Sequence, residues 1–258
     1  DIFPLWDWQK IPGTTVVQTD TLDGNVRRGG RTDFVGGASD GEYGLAAFDF
    51  VRDSLTARKA WFFFDRQYVC LGAGIYSSTR EPVYTTVDQC YLSGELRITK
   101  ESTQVPERGE QRIKGPVIIR HGDSELIFPE YCELLLDNTY QSGSWYEINR
   151  SKSDEILSDE LFTLCIDHGV QPQNAEYAYI VRPHVDPQLP PVPDIRILAN
   201  HSRLQAVYHP DLQIWQCVFY VPGALTVGNF DVRMNQPGLL LLHQNESSMQ
   251  VCLSDPTQ

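Results

Sequence analysis

An all-β fold is the class this sequence predicts, on three observations. Its apolar residues come in short runs rich in aromatic and β-branched types. Its 16 prolines and 19 glycines are spread along all 258 residues, which suits many short strands joined by turns. No long segment repeats its apolar positions at the helical period, and the best helical candidate, residues 153–162, is short.

Taken in order, residues 1–50 are rich in loop signals. Trp6-Asp7-Trp8 leads into the turn signal Ile11-Pro12-Gly13. Residues 34–44 hold four glycines in eleven positions, which predicts bulged or closely packed strand ends. A phosphate-cradling loop would need a Gly-Lys-Ser/Thr ending and a following helix, and neither is present. Residues 45–55 read as a strand. Residues 59–75 form the most apolar stretch of the chain, and the four aromatics Trp61-Phe62-Phe63-Phe64 predict a strand buried on both faces. Asp65-Arg66 reads as a turn and residues 67–71 as the returning strand. Further strands are predicted at residues 83–87, 117–120, 125–128, 132–136, 145–149, 161–166 and 177–181. The charged residues 101–112 read as an exposed loop or sheet edge.

Five prolines fall between residues 183 and 193, a density that stiffens a connector and bars it from a central strand. The expected organisation is therefore a domain over 1–186, a proline-rich linker over 187–194 and a second all-β unit over 195–258 with about five short strands. That second unit is small for a core of its own and is expected to lean on the first.

The formal net charge of −13 argues against nucleic acid, whose phosphates require a basic face. No apolar run is long enough to span a membrane as a helix. The first residues, Asp1-Ile2-Phe3-Pro4, show no secretory leader pattern, so the expectation is either a removed leader or an internal piece of a longer protein. Six cysteines stand at 70, 90, 132, 165, 217 and 252 without a Cys-x-x-Cys pair, which predicts free, mostly buried thiols rather than a zinc ribbon or thioredoxin-type site. Acceptor triplets for glycosylation occur at Asn149, Asn200 and Asn245, a pattern frequent enough by chance to say little about compartment.

Several motifs, in order, carry a family resemblance. Trp6-Asp7-Trp8-Gln9-Lys10-Ile11-Pro12-Gly13-Thr14-Thr15, Asp33-Phe34-Val35-Gly36-Gly37-Ala38-Ser39-Asp40-Gly41, Lys59-Ala60-Trp61-Phe62-Phe63-Phe64-Asp65 and Cys70-Leu71-Gly72-Ala73-Gly74-Ile75 come first. Ile166-Asp167-His168-Gly169, Tyr177-Ala178-Tyr179-Ile180-Val181, Leu204-Gln205-Ala206-Val207-Tyr208-His209 and Ser254-Asp255-Pro256-Thr257-Gln258 follow. This ordered set resembles family 8 polysaccharide lyases, the hyaluronate, chondroitin AC and xanthan lyases, over essentially the whole chain. The resemblance implies a large antiparallel super-sandwich followed by a smaller, truncated β-sandwich. It also implies an upstream α/α toroid that carries the catalytic Asn, His, Tyr and Arg, none of which has a counterpart here. The implied partners are an acidic polysaccharide and that toroid, and the implied location is secreted, extracellular or periplasmic.

β-Elimination on a uronate needs the carboxylate neutralised, a base for the C5 proton and an acid for the leaving oxygen. A tyrosine serves only if cationic neighbours pull its pKa down from about 10. The 12 tyrosines show no such cluster in sequence, so each reads first as a packing residue and no catalytic residue is assigned. Asp167-His168-Gly169 reads as a strand-end turn or an exposed loop, since no Gly-x-Ser-x-Gly accompanies it. Arg27, Arg28 and Arg31 form the one dense basic patch and are the candidate contacts for sulfate or carboxylate groups, against the plainer reading of a solvated charged loop. In the related lyases this region approaches the substrate cleft, some with a stacking Trp where this chain has Val26. No cofactor is implied as required. Some related lyases hold calcium on the Trp-Asp-Trp signature, which makes Asp7 and Asp20 candidate ligands, with Gln9 where a second carboxylate would help.

Overall fold

The computed structural model describes residues 1–20, 31–185, 194–227 and 230–257. Its strands in chain order are β1 (Thr15–Val17), β2 (Val35–Ser39), β3 (Gly44–Arg52), β4 (Leu55–Phe63), β5 (Tyr68–Tyr76), β6 (Pro82–Tyr91), β7 (Leu96–Thr99), β8 (Thr103–Gln104), β9 (Glu110–Lys114), β10 (Val117–His121) and β11 (Ser124–Phe128). There follow β12 (Glu133–Asp137), β13 (Tyr140–Gly143), the single helical turn α1 (Trp145–Ile148), β14 (Leu157–Val170), β15 (Gln173–Arg182), β16 (Arg196–His201), β17 (Leu204–His209), β18 (Ile214–Phe219), β19 (Gly223–Val227), β20 (Phe230–Met234), β21 (Gly238–Gln244) and β22 (Met249–Ser254). A 3-10 turn at Phe3–Leu5 precedes them.

The chain divides into two compact units that do not follow its linear order. The first joins Asp1–Arg27 to Ser77–Pro172. It contains the antiparallel sheet β1-β6-β14-β12-β9, with β13 paired to β14, and the antiparallel run of β11, β10, β7 and β8. One face of its central strands is buried through Leu134 and Leu136 of β12 and Phe162, Leu164 and Ile166 of β14, with Ile113, Ile119 and Ile98. The other side of β14 is also covered, so Leu161, Thr163 and Cys165 are buried too. Pro4 seats against Gly143, where a side chain could not fit: a Cβ there would stand 1.9 Å from the Pro4 carbonyl oxygen.

The second unit joins Arg28–Tyr76 to Gln173–Gln258. Its first sheet runs β2-β3-β4-β5-β15 and its second β16-β17-β18-β21-β22, with the β19-β20 hairpin apart. The aromatic stretch forms the β4–β5 hairpin as read, with Phe64 N donating to the Gln67 carbonyl at 3.0 Å across the turn. Burial on both faces holds for Phe62 but not for the whole run. Phe63 ends its strand 43% exposed, although it still pairs with Gly44 of β3 and Tyr68 of β5. In the C-terminal sheet, Leu204, Ala206, Trp215, Cys217, Phe219, Leu240 and Leu242 build one apolar layer, onto which Leu225, Val232 and Met234 of the β19–β20 hairpin pack. The opposite side of the same strands is buried as well, including Gln205 and Gln216 at 0% exposure.

A polar network holds those two glutamines, with Gln216 Oε1 left buried without a hydrogen-bond partner among the described residues. The Tyr220 hydroxyl donates to Gln205 Oε1 at 2.7 Å and lies 3.1 Å from the Lys59 carbonyl oxygen. Gln205 Nε2 donates to Asn200 Oδ1 at 2.9 Å, Asn200 Nδ2 to the Tyr177 carbonyl at 3.0 Å, and Gln216 Nε2 to the Phe63 carbonyl at 3.2 Å. Arg58 donates to the Ser202 carbonyl and pairs with Asp49 at 3.2 Å. Residues 196–258 are thus tied by hydrogen bonds to β4 and β15.

Two local expectations are corrected. Residues 153–162 are not helical: from Leu157 they open the 14-residue β14, whose first residues pair with β13, Gln141 facing Asp159 and Tyr140 facing Glu160. Residues 145–149 are not a strand: Trp145–Ile148 makes one helical turn, with Tyr146 N donating to the Ser153 carbonyl at 2.9 Å. The charged stretch 101–112 holds short edge strands, β8 and the start of β9.

Candidate saccharide and ion contacts

Arg27 and Arg28 lie outside the described residues. Arg31 is exposed, with its guanidinium 3.6 Å from Asp53 Oδ1 and 3.5 Å from the Asp53 carbonyl oxygen. Both partners of this pair are more than half exposed, so water screens it and Arg31 keeps most of its reach toward an external anion.

Asp7 and Asp20 are placed differently. Asp7 Oδ1 accepts from Gln9 N at 2.9 Å, and Asp7 Oδ2 sits 3.1 Å from Lys10 Nζ. Burial works against the charged form of Lys10, but Asp7 outweighs it by charge and hydrogen bond and holds the ammonium above its ordinary pKa. Gln9, at the position where a second carboxylate would favour calcium, instead donates to the Thr19 carbonyl at 2.7 Å and accepts from Thr19 N at 2.8 Å. Asp20 is exposed at the bend that follows. The signature therefore carries a seated ammonium beside Asp7. A fixed turn holds the main chain, with Asp7 N donating to Gln89 Oε1 at 2.8 Å and Gln89 Nε2 donating to the Lys10 carbonyl at 2.7 Å.

The Asp167-His168-Gly169 stretch ends β14. His168 Nε2 lies 2.8 Å from Thr85 Oγ1, which lies 2.8 Å from Thr15 Oγ1, so one hydroxyl–imidazole chain fastens β14, β6 and β1. Asp167 accepts from Arg112 Nη1 at 2.6 Å and from Gly169 N at 2.8 Å. Gly169 takes φ +74°, the left-handed backbone that suits glycine. These contacts describe a structural fastening of strand ends.

The tyrosines bear on lyase chemistry most directly. Burial raises the pKa of Tyr43 to about 12 and pushes Tyr177, Tyr179 and Tyr220 well above the ordinary value. Tyr84 has a cationic neighbour. Arg112 pulls its pKa down, but burial, and then the charge of Asp167, raise it by more. These five tyrosines are moved away from service as a base near neutral pH.

The six cysteines are free thiols, with Cys70, Cys165 and Cys217 buried. Burial, aided at Cys90 by the charge of Asp88, pushes Cys70, Cys90 and Cys217 up to about 12, so with no ion bound these thiols are protonated at neutral pH. Of the glycosylation triplets, Asn200 has its side chain engaged on both sides in the polar network. One grouping escaped the sequence reading: Asp88, Cys90 and His121 meet within 4.8 Å. Its signal was an Asp-x-Cys pair on an alternating strand, but the histidine 31 residues on is brought to it only by the fold.

Residues 1–189 match the super-sandwich domain of polysaccharide lyase family 8, and residues 196–258 match the family's C-terminal β-sandwich domain. The chain is 37% identical over 270 residues to chondroitinase-AC of Pedobacter heparinus, a match covering 100% of this chain and 38% of that protein. It is 30% identical over 269 residues to a hyaluronate lyase of Thermasporomyces composti, covering 99% of this chain and 34% of that protein. A solved structure of chondroitinase AC lyase aligns with a TM-score of 0.91 at 36% identity, covering 100% of this chain and 39% of that one. The chain thus spans little more than a third of the length of these relatives. Its antiparallel sheets, its polar fastenings and its match to both domains lead to one conclusion: this chain belongs to polysaccharide lyase family 8, of which it carries the super-sandwich and C-terminal β-sandwich regions.

Proposed function

We propose that this chain is the β-sandwich portion of a secreted lyase that cleaves uronic-acid-containing polysaccharide, of the chondroitin or hyaluronan kind, by β-elimination. In this reading the groups that neutralise the uronate and move its protons belong to an α/α toroid outside these residues, and the β portion braces it and walls the cleft. The observation that carries the reading is the match of residues 1–189 and 196–258 to the family's super-sandwich and C-terminal β-sandwich domains. The chain is 37% identical to chondroitinase-AC along its whole length, and burial raises the pKa of Tyr43, Tyr84, Tyr177, Tyr179 and Tyr220. Arg27, Arg28 and Arg31 are the proposed contacts to the polymer's anionic groups, with Arg31 exposed and weakly paired. Calcium at Asp7 and Asp20 is the secondary proposal for ions. It requires the ion to compete with Lys10 for Asp7.

A stand-alone carbohydrate-binding or scaffold protein derived from such a lyase is the competing reading. Calorimetric titration of the 258-residue chain with chondroitin sulfate oligosaccharides separates the two. The lyase-portion reading expects weak binding at most, because a net charge of −13 repels a polyanion. Tight, saturable binding that disappears in an Arg27→Ala, Arg28→Ala, Arg31→Ala chain would favour the binding protein.

A further inference from the structure

Two strands of the first unit bring together a carboxylate, a thiol and an imidazole. Asp88 and Cys90 stand two apart on β6 and so project from one face, while His121 ends β10. Asp88 Oδ2 lies 3.5 Å from Cys90 Sγ, and Cys90 Sγ lies 3.6 Å from His121 Nδ1. The imidazole is held in place by the Phe162 ring, 4.6 Å away between centroids, and by Ser93 N, which donates to Nε2 at 3.1 Å. Zinc binds thiolate at about 2.3 Å and imidazole or carboxylate at about 2.0–2.2 Å, so the donor atoms of a tetrahedral site stand about 3.5 Å apart. The two measured spacings match that edge. They also serve as hydrogen bonds while the sites carry protons: with Nε2 accepting from Ser93, the ring proton sits on Nδ1 and faces the sulfur.

We propose that Asp88, Cys90 and His121 form a binding site for a divalent transition ion of the zinc type, which clamps β6 to β10. The donor set selects the ion. Thiolate and imidazole suit Zn²⁺ or Co²⁺, whereas Ca²⁺ and Mg²⁺ need several oxygens. Three protein donors leave a fourth position for solvent. On loading, the Cys90 thiol proton leaves to solvent. The His121 proton is displaced from Nδ1 to Nε2, and the ion takes the freed lone pairs. Nε2 can then no longer accept from Ser93, so the turn at residues 92–95 must readjust. The site stands independently of the lyase reading.

The test is titration of the reduced, metal-free 258-residue chain with Co²⁺. The expected result is one equivalent bound, with a thiolate-to-cobalt charge-transfer band, visible bands of tetrahedral intensity and displacement by Zn²⁺. The Ser93 amide resonance should shift in the same titration and its hydrogen exchange should quicken. Both signals should be lost in Cys90→Ala. Absence of the charge-transfer band in the parent chain overturns the proposal, as does its survival in Cys90→Ala, which would place the ion on another thiol. Should Cys90→Ala fail to fold, the near-isosteric Asp88→Asn carries the test: weakened Co²⁺ binding supports the site and unchanged binding overturns it.

Discussion

Lys59 shows how much a single residue can be asked to bear. It is 4% exposed on β4, with its ammonium 5.7 Å from the Trp61 ring centroid, and burial lowers its pKa from 10.5 to about 8. Between those two values the unfolded chain holds more protons at this group than the folded chain, so its contribution to stability rises with pH across that window. Below the window the full penalty applies, on the order of 3 kcal/mol by linkage. Lys59→Met keeps the stem and removes the charge. It should be more stable than the parent at neutral pH, with the advantage shrinking toward pH 10.5, measured as the difference between paired urea unfolding curves. Gly72 makes the opposite demand. A Cβ there would meet the Tyr177 ring at 2.0 Å, so Gly72→Ala must displace a fully packed aromatic. A loss of about 1–3 kcal/mol or more is expected in the same experiment. Neither residue's burden was legible in sequence: glycine 72 showed only as part of an apolar run, and Lys59 only as its polar edge.

At the level of elements, the strands were legible wherever alternation or a dense apolar run marked them, as in β6, β12 and the β4–β5 hairpin. The reading failed where a local pattern suits two structures. Residues 153–162 mix charged and apolar types as a short helix would, but Glu160 pairs with Arg108 and its backbone pairs with β13. Trp145 and Tyr146 favour a strand by residue type, yet Trp145 packs edge-on against Phe3, 6.3 Å between centroids, and the chain turns there. The ties between elements were invisible as well, because Gln205, Tyr220 and Asn200 acquire partners only through the fold. They predict that Tyr220→Phe, which leaves Gln205 Oε1 without its donor, costs about 1–3 kcal/mol. Hydrogen exchange should then quicken in β16–β18 before it does in β12 and β14. Equal quickening in all of them would mean that the network does not hold the C-terminal sheet in place.

For the whole molecule, the sequence carried the fold class and the family, since ordered motifs run the length of the chain and both domains match. It carried less of the site. Arg27, Arg28 and Arg31 were visible as a basic patch, but whether a patch contacts a polymer depends on what faces it, which spacing alone does not encode. The claim on which the account turns is that these strands support a reaction whose acid and base lie elsewhere. Its most direct test is incubation of the purified 258-residue chain with chondroitin and with hyaluronan, following the ultraviolet absorbance of the unsaturated uronate product. The account predicts no growth in absorbance above the protein-free control at any pH from 5 to 9, roughly the range over which a tuned acid–base pair would act. Sustained growth that scales with protein concentration would contradict it and would place a working base among these residues.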